Sequence, residues 1–143
     1  MANIVPFSFK GELASGTHNF ASGGNTFKLA LYTANPYTTS STTKVATSEV
    51  SSAGGSNYTA GGNTLTGQSV TATTATTAID FADTSWSSAT FTAAFGAIYD
   101  TSASDKLVVV LDFGGNKTAT NGTFTIAFPD PSTPSNAIIS ITS

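Results

Sequence analysis

The sequence predicts an all-β fold, an antiparallel β-sandwich of about seven to eight strands preceded by a short N-terminal helix. The first observation is that charged residues make up only 9% of the 143 residues, against about 25% in an average soluble domain. The second is that Thr, Ser, Asn and Gly supply the missing polarity, and β-branched Thr favours strands over helices. The third is that turn signals recur at a spacing of roughly ten residues. The length predicts a single domain, residues 1 to 143.

The N-terminal stretch "VPFSFKGELASG" is the segment with a helical pattern. Pro6 suits the first turn of a helix, Phe9 and Leu13 are four residues apart, and Gly16 is a typical helix stop. The pattern therefore predicts a short helix between residues 5 and 16.

A strand and a long excursion follow the helix. "NTFKLALYT", residues 25 to 33, alternates large apolar residues with Lys, Ala and Tyr, so it is predicted to be a half-buried strand. Residues 34 to 56 are rich in Pro, Ser, Thr and Gly. They are predicted to form a long excursion with one short turn of helix near residues 45 to 50.

Short strands separated by turn residues make up the rest of the chain, and the 10 phenylalanines are expected to fill the core. Phe91, Phe95 and Tyr99 are expected to share one face of a strand. "KLVVVLDFG" is apolar on both faces and is predicted to be central, whereas "GGNKTATNG", residues 114 to 122, has the composition of a turn. The predicted strands span residues 63–74, 77–81, 89–100, 106–114, 123–128 and 137–142.

The charge balance argues against nucleic acid as a partner. The chain has no arginine, five scattered lysines and a net charge of −3, so it cannot neutralise a row of phosphates. Cysteine is absent, which excludes disulfides and thiolate metal sites. The N-terminus has no signal-peptide pattern, and no apolar run reaches membrane-spanning length. We expect a soluble protein made in the cytoplasm, with no membrane partner.

No residue pattern predicts catalysis, and we expect neither an enzyme nor a cofactor. His18 is the single histidine, and its glycine-rich surroundings predict an exposed or capping role. Asp80 and Asp83 are three residues apart, but a calcium site needs six to eight oxygen ligands, so turn capping by Asp83 is the favoured interpretation. Tyr58 and Trp86 could stack on a sugar, although packing is the commoner role of such aromatics.

Several stretches in order carry a family resemblance. They are "SFKGELASG", "FKLALYT", "SEVSSAGGSNYTAGGNTLTGQSVT", "IDFADTSWSSATFTAAFGAIYD" and "LVVVLDFGGNKTATNGTFTIAF", together covering roughly residues 8 to 128. "YTAGGNTL" with the later "DTSWSSATFTA" is the most specific combination. The chain resembles a family of small virion structural proteins of tailed bacteriophages. It departs from the family pattern in a longer Ser/Thr stretch near residues 38 to 48 and in the extension "PDPSTPSNAIISITS".

The resemblance implies a structural component of the virion with no catalytic residues. The leading expectation is a capsid decoration (cement) protein, a homotrimer on the capsid exterior that binds and stabilises the lattice of the major capsid protein. Low surface charge would limit repulsion between closely packed copies. The expected contact segments are Ile4 to Phe9, in an N-terminal arm (about residues 1 to 16), and Ala137 to Ile141, in a C-terminal tail (about residues 129 to 143). Their contact residues would be Ile4, Val5, Phe7, Phe9, Ile138, Ile139 and Ile141.

Other functions remain open at this point. The main alternative is a tail-associated or fibre-associated virion protein that binds host surface glycan through Tyr37, Tyr58 and Trp86. A small cell-wall hydrolase lacks a recognisable acid–base pair. A secreted adhesin domain is disfavoured by the missing signal peptide.

Overall fold

The computed structural model describes residues 2–130, 132–133 and 137–142. The helix α1 spans Phe7–Ala14, and a single 3-10 turn spans Thr101–Ala103. The strands are β1 Phe27–Tyr32, β2 Asn63–Thr64, β3 Ser69–Ala72, β4 Thr76–Asp80, β5 Thr84–Asp100, β6 Lys106–Ile126 and β7 Ile139–Thr142. They form a four-stranded antiparallel sheet, in the order β2-β1-β5-β6, and a three-stranded one, in the order β3-β4-β7. The predicted all-β, sandwich-like fold with a short N-terminal helix is confirmed.

The helix begins directly after Pro6, as the sequence predicts. Phe9 is buried, and Leu13, one turn later, packs against the same core. The helix ends where Gly16 adopts a φ of +74°. Glycine takes this left-handed conformation without a Cβ clash, which makes it a common helix terminator.

β1 is buried on both faces, so the expectation of a half-buried strand is wrong. Leu29 belongs to the main core, whereas Tyr32 belongs to a second apolar cluster on the opposite face. The second face is covered because the excursion of residues 34 to 56 folds back over it. Tyr37 in this excursion packs against Tyr32 with a ring separation of 5.3 Å.

The excursion contains no turn of helix at residues 45 to 50. Glu49 instead forms an isolated bridge with Tyr32, and the Val50 N–H donates to the carbonyl of Leu31 at 2.9 Å. Backbone groups at the edge of β1 hydrogen-bond with residues 49 and 50. A single helical turn at residues 45 to 50 would leave these groups of β1 without partners. Tertiary pairing therefore prevails over the local helical pattern.

The stretch 63 to 74, predicted as one strand, forms two strands in different sheets. β2 pairs with β1, and β3 pairs with β4. The chain turns at Gly67, which has a φ of +64° and lies close to Ala82. Leu65 before the turn is buried, whereas Val70 after it is 48% exposed.

β5 and β6 form a hairpin with strands of 17 and 21 residues. β6 runs through residues 114 to 122, so the predicted turn at that position is wrong. Two of the three glycines there, Gly114 and Gly115, do have positive φ angles, but the chain does not reverse. Between the pairs Phe95–Asp112 and Ala93–Lys117, the extra residues of β6 are accommodated as a β-bulge.

At the β-bulge between Ala93 and Phe95, the side chains of β5 change from one face of the sheet to the other. Phe91 packs in the main core, whereas Phe95 and Tyr99 pack in the second cluster. The prediction that these three residues share a face is therefore wrong. The physical reason is that side chains alternate with a period of two, so a shift of one residue exchanges the faces.

β6 lies at the edge of its sheet, so the prediction of a central strand is wrong. Both faces of its first half are nevertheless covered, because Val109 packs in the main core and Val110 in the second cluster. Part of its outer edge is covered as well. Ile4 forms a bridge with Val110, and Thr43 forms one with Lys106.

Phenylalanine dominates the main core, as expected. Phe20 and Phe27 stack with a ring separation of 4.4 Å, and Phe81 meets both rings edge-on. Nine of the ten phenylalanines are buried or partly buried, and Phe7 is 67% exposed. Among the described residues, no helix has the length and apolarity that a membrane crossing requires.

Candidate functional site

A buried polar cluster surrounds His18, which is only 5% exposed. His18 Nδ1 lies 2.8 Å from Asp100 Oδ2, and His18 Nε2 lies 3.0 Å from Glu12 Oε2. Lys106 Nζ donates to Glu12 Oε1 at 2.7 Å. We refer to Glu12, His18, Asp100 and Lys106 as the His18 cluster. The expectation of an exposed or capping histidine is wrong, because the ring packs between α1 and the end of β5.

Three elements position the cluster. Glu12 lies in the last turn of α1, and His18 follows in the loop after the helix. Asp100 and Lys106 are paired across the β5–β6 hairpin, at the end of one strand and the beginning of the next. The short loop between these strands is therefore what brings the carboxylate and the ammonium to the same end of the sheet.

Asp100 is fully buried and accepts several hydrogen bonds. Besides His18, Asn25 Nδ2 donates to Asp100 Oδ2 at 2.6 Å, and the Ser102 N–H donates to Oδ1 at 2.9 Å. An ionised carboxylate has no donor of its own and room for several such partners. Asp100 thus holds the loop of Asn25, the 3-10 turn and the His18 ring together.

Two side-chain donors act on Glu12. Burial by itself would raise the pKa of Glu12, but hydrogen bonds from Lys106 and His18 outweigh it and hold the pKa below the ordinary glutamate value. Both nitrogens of His18 therefore face carboxylates. Neither is free to accept a proton from a hydroxyl nucleophile, so this arrangement differs from a Ser-His-Asp triad. The geometry is that of a structural cross-link.

A second buried acid, Glu49, connects the excursion to β1. Lys44 Nζ donates to Glu49 Oε2 at 2.6 Å, and Tyr58 Oη donates to Oε1 at 2.8 Å. The Gly61 N–H donates to the same Oε1 atom. Burial pushes the pKa of Glu49 upward, but these hydrogen bonds hold it below the ordinary value.

We expect Glu49 to make the fold sensitive to acid. Because its folded pKa is lowered, its stabilising contribution is present above the ordinary glutamate pKa of about 4.3 and is lost as the pH falls through the lower folded value. The free energy of unfolding, measured with urea, should fall between about pH 6 and about pH 3. The variant Glu49→Gln should show a smaller fall over this range. An unchanged pH slope in Glu49→Gln would contradict the assignment.

The aromatic residues proposed to stack on sugar are buried. Tyr37, Tyr58 and Trp86 are 4%, 2% and 4% exposed. Tyr58 Oη accepts from the Leu31 N–H at 3.0 Å, and Trp86 packs against Phe91 with a ring separation of 6.2 Å. A sugar ring needs an exposed aromatic face, so these positions do not favour the stacking role.

A shallow, uncharged hollow lies beside two of these aromatics, with a volume of about 490 Å³. Hydroxyl and amide groups line most of it, including Asn57 and Thr59. The Trp86 indole N–H is buried and has no hydrogen-bond partner among the described residues. A wider apolar groove of about 670 Å³ runs along β6, with Phe113, Phe124 and Ile138 in its lining.

Asp80 and Asp83 have different surroundings. Burial raises the pKa of Asp80, and the nearby charges of Asp83 and Asp130 raise it further. Asp83 Oδ1 accepts the Phe128 N–H at 2.8 Å, so it secures the chain after β6 rather than capping a local turn. Among the described residues, no group of three or more His, Cys, Asp or Glu side chains is placed to hold a metal ion.

The predicted contact residues differ in exposure. The N-terminal segment is not a free arm, because the Ile4 N–H donates to the Val110 carbonyl at 2.9 Å and Pro6 is fully buried. Of the expected terminal segments, residues 1, 131, 134–136 and 143 lie outside the described part of the chain. Val5, Phe7 and Ile141 are 41%, 67% and 46% exposed, Ile4 and Ile138 are partly buried, and Phe9 and Ile139 are buried.

Sequence reasoning did not find the His18 cluster. Its members are up to 94 residues apart, and no spacing rule connects them. One signal was present, because Asp100 and Lys106 directly bound two strongly apolar strands in a chain with only 13 charged residues. A charge at such a position is often paired when it is buried.

Comparison with family models, with curated proteins and with solved structures finds no match for this chain.

Proposed function

We propose that this protein is a structural component of a tailed-bacteriophage virion, a capsid decoration protein that binds the outside of the major capsid lattice and stabilises it. The observation that carries the proposal is the scarcity of charge on the surface. Of the 13 charged residues, five are exposed, and the other eight are buried or partly buried. The exposed ones are Lys10, Asp83, Asp105, Lys117 and Asp130.

The low surface charge fits repetitive assembly. The exposed charges sum to −1, from two lysines and three aspartates. Like-charged copies placed side by side repel one another, and a Ser/Thr/Asn surface reduces this cost. The same surface lacks the lysine and arginine clusters that bind packaged nucleic acid, so a position on the exterior of the shell is favoured.

The N-terminal segment offers an apolar contact whose conformation is already set. The bridge from Ile4 to Val110 and the hydrogen bond from the Phe7 N–H to the Thr39 carbonyl, at 2.9 Å, fix the backbone on both sides of Val5. The side chains of Val5 and Phe7 nevertheless point into solvent. A contact that needs no ordering on binding loses less entropy when it forms.

The mechanism is stabilisation by mass action. A protein that binds the assembled shell and not its free subunits shifts the equilibrium toward the shell. We propose that a trimer spans neighbouring capsid subunits, with Val5 and Phe7 among the contacts. No catalytic step is part of this function.

Cryo-electron microscopy of the native particle, or of bare capsids mixed with the purified protein, tests the proposal. We expect density at the threefold or quasi-threefold positions of the shell. Density restricted to the portal vertex or the tail would reject the decoration role and would favour the tail-associated alternative. The burial of Tyr37, Tyr58 and Trp86 already weakens the version of that alternative in which these rings stack on glycan.

We expect Phe7→Ser to reduce capsid binding by at least about tenfold while leaving the fold intact, since an exposed aromatic contributes to an interface but little to the monomer. Co-sedimentation with bare capsids measures the effect. Val70→Thr is the matched control, because Val70 is an exposed apolar residue on the other sheet, at 48% exposure. Equal binding by both variants would exclude Phe7 as a contact. A point substitution is preferable to deleting residues 1 to 9, because Pro6 and Phe9 are buried.

A further inference from the structure

The uncharged hollow beside Trp86 lies between residues 52–59, which precede β2, and residues 85–87 of β5. We refer to it as the Asn57 hollow. Its volume of about 490 Å³ is in the range of small-molecule sites in proteins. Every described lining residue except Gly55 has a hydroxyl, amide or indole group, and none of them is charged. The hollow is therefore a concave polar surface without charge.

The backbone next to the hollow has an unusual conformation. Asn57 and Ser88 have φ angles of +56° and +49°, and Asn57 Nδ2 donates to the Ser88 carbonyl at 3.0 Å. Asparagine tolerates this left-handed conformation, but for serine it is uncommon. Ser88 also lies in the irregular pairing of β5 between Trp86 and Ala89. Strained residues and β-bulges are both enriched near functional sites, so the backbone favours a binding role for this hollow.

The loop that forms one wall of the hollow is held in place, while several of the lining side chains have no partner. The Thr90 N–H donates to the Ser56 carbonyl at 3.1 Å, and Ser56 Oγ donates to the Ser51 carbonyl at 2.8 Å. Four lining hydroxyls form no hydrogen bond within the described part of the chain, those of Ser52, Thr59, Ser85 and Ser87. A ligand that pairs with these hydroxyls breaks no protein hydrogen bond and finds the site already ordered.

A buried donor without an acceptor also borders the hollow. The Trp86 indole nitrogen is buried and has no hydrogen-bond partner among the described residues. An indole N–H can only donate, and a buried donor that lacks an acceptor destabilises the fold. Trp86 is one of the residues that line the hollow, so this unsatisfied group lies at its boundary.

We propose that the Asn57 hollow binds a neutral saccharide through hydrogen bonds to the hydroxyl groups of the sugar. A sugar phosphate, sulfate or carboxylate would need a basic partner, which the lining does not offer. An aliphatic chain or the side chains of a peptide would need apolar surface, whereas hydroxyl and amide groups line most of the hollow. Sugar hydroxyls both donate and accept, so they match serine, threonine and asparagine side chains in either direction.

This mode of recognition differs from stacking on an aromatic ring. Tyr58 and Trp86 are 2% and 4% exposed, so neither ring offers a face to a sugar. The sugar is held at its edge instead, with hydroxyls bonded to Thr59 and Ser87. One sugar oxygen accepts from the Trp86 indole N–H and supplies the partner that this group lacks.

Trp86 is the single tryptophan, so its indole N–H gives one assigned signal in a ¹⁵N NMR spectrum. We would titrate the purified protein with glucose, galactose, mannose and N-acetylglucosamine, and with neutral oligosaccharides of the same sugars. We expect a saturable shift of the Trp86 signal with at least one of them, and no such shift with glycerol at the same hydroxyl concentration. Tighter binding of an oligosaccharide would identify a glycan chain as the ligand, and equal affinities would identify a single sugar unit.

The double variant Thr59→Val/Ser87→Ala tests whether the sugar binds in the hollow. Both side chains are exposed, so the fold should be unchanged. The affinity for the sugar should fall at least about tenfold, because two hydrogen bonds to the ligand are lost. Ser40→Ala/Thr71→Val is the matched control, because it removes two exposed hydroxyls outside the hollow. It should bind the sugar as the unmodified protein does.

Three results would overturn the proposal. The first is the absence of a saturable Trp86 shift with every saccharide tested, and the second is an equal shift with glycerol. The third is an equal loss of affinity in the two double variants. These measurements use the isolated protein without capsids, so a negative result leaves the proposed capsid role standing.

Discussion

Replacing Gly62 with alanine is expected to destabilise the protein by about 4 kcal/mol or more, or to prevent folding. A Cβ built at Gly62 would lie closer than any real contact to the Leu29 carbonyl oxygen and 2.7 Å from the Ala30 Cα. Gly62 is buried and has a φ of +74°. The clash is with the backbone of β1, which cannot rotate away as a flexible side chain could. β2 would have to separate from β1.

The matched control is Gly54→Ala. Gly54 has a nearly identical φ of +70°, but nothing lies within 4 Å of an added Cβ. Gly54→Ala should therefore cost only the strain of an alanine in the left-handed conformation, about 1 kcal/mol. Chemical denaturation of both variants at neutral pH measures the difference. An equal loss of unfolding free energy in Gly62→Ala and Gly54→Ala would contradict the close approach of Gly62 to β1.

Replacing Asp100 with alanine is expected to cost about 3 kcal/mol or more, because three hydrogen-bond donors would lose their acceptor at once. Asp100 has no exposed surface. Its removal leaves His18 Nδ1, Asn25 Nδ2 and the Ser102 N–H without their acceptor. These hydrogen bonds are buried or partly buried, and an unsatisfied donor at such a site costs about 1 to 3 kcal/mol.

Asp130→Ala is the control for Asp100→Ala. Asp130 is exposed and accepts a local hydrogen bond from the Ser132 N–H. We expect its substitution to leave the free energy of unfolding nearly unchanged. If Asp100→Ala does not fold, Asp100→Asn keeps one acceptor oxygen and should be intermediate. Equal stabilities for Asp100→Ala and Asp130→Ala would contradict the buried cluster.

Local patterns predicted much of the fold correctly. The helix, β1 and β7 lie within the predicted segments, because capping residues, apolar spacing and alternation are properties of neighbouring residues. Predictions from local patterns were wrong where pairing with a segment distant in sequence determined the conformation. The glycine-rich residues 114 to 122 could form a turn on their own, but pairing with β5 keeps them extended.

The candidate site was harder to predict than the fold. Apolar character predicts both Phe7 and Phe9 as contact residues, but Phe9 is buried and Phe7 is exposed. The difference comes from the helix, which turns Phe9 toward the core and leaves Phe7 on the outside. His18 is predicted to be exposed or capping because the sequence does not show that Asp100 and Glu12 lie on either side of it.

The all-β class, the position of α1 and the reliance of the core on phenylalanine can be predicted from the sequence. Each of these follows from composition or from the spacing of neighbouring residues. Three further features appear only in the folded chain: the sheet to which each strand belongs, the exchange of faces along β5 and the assembly of the His18 cluster. These features depend on pairing between residues such as His18 and Asp100, 82 positions apart. The free energy of such a pair depends on burial and mutual geometry, which exist only after the chain has folded.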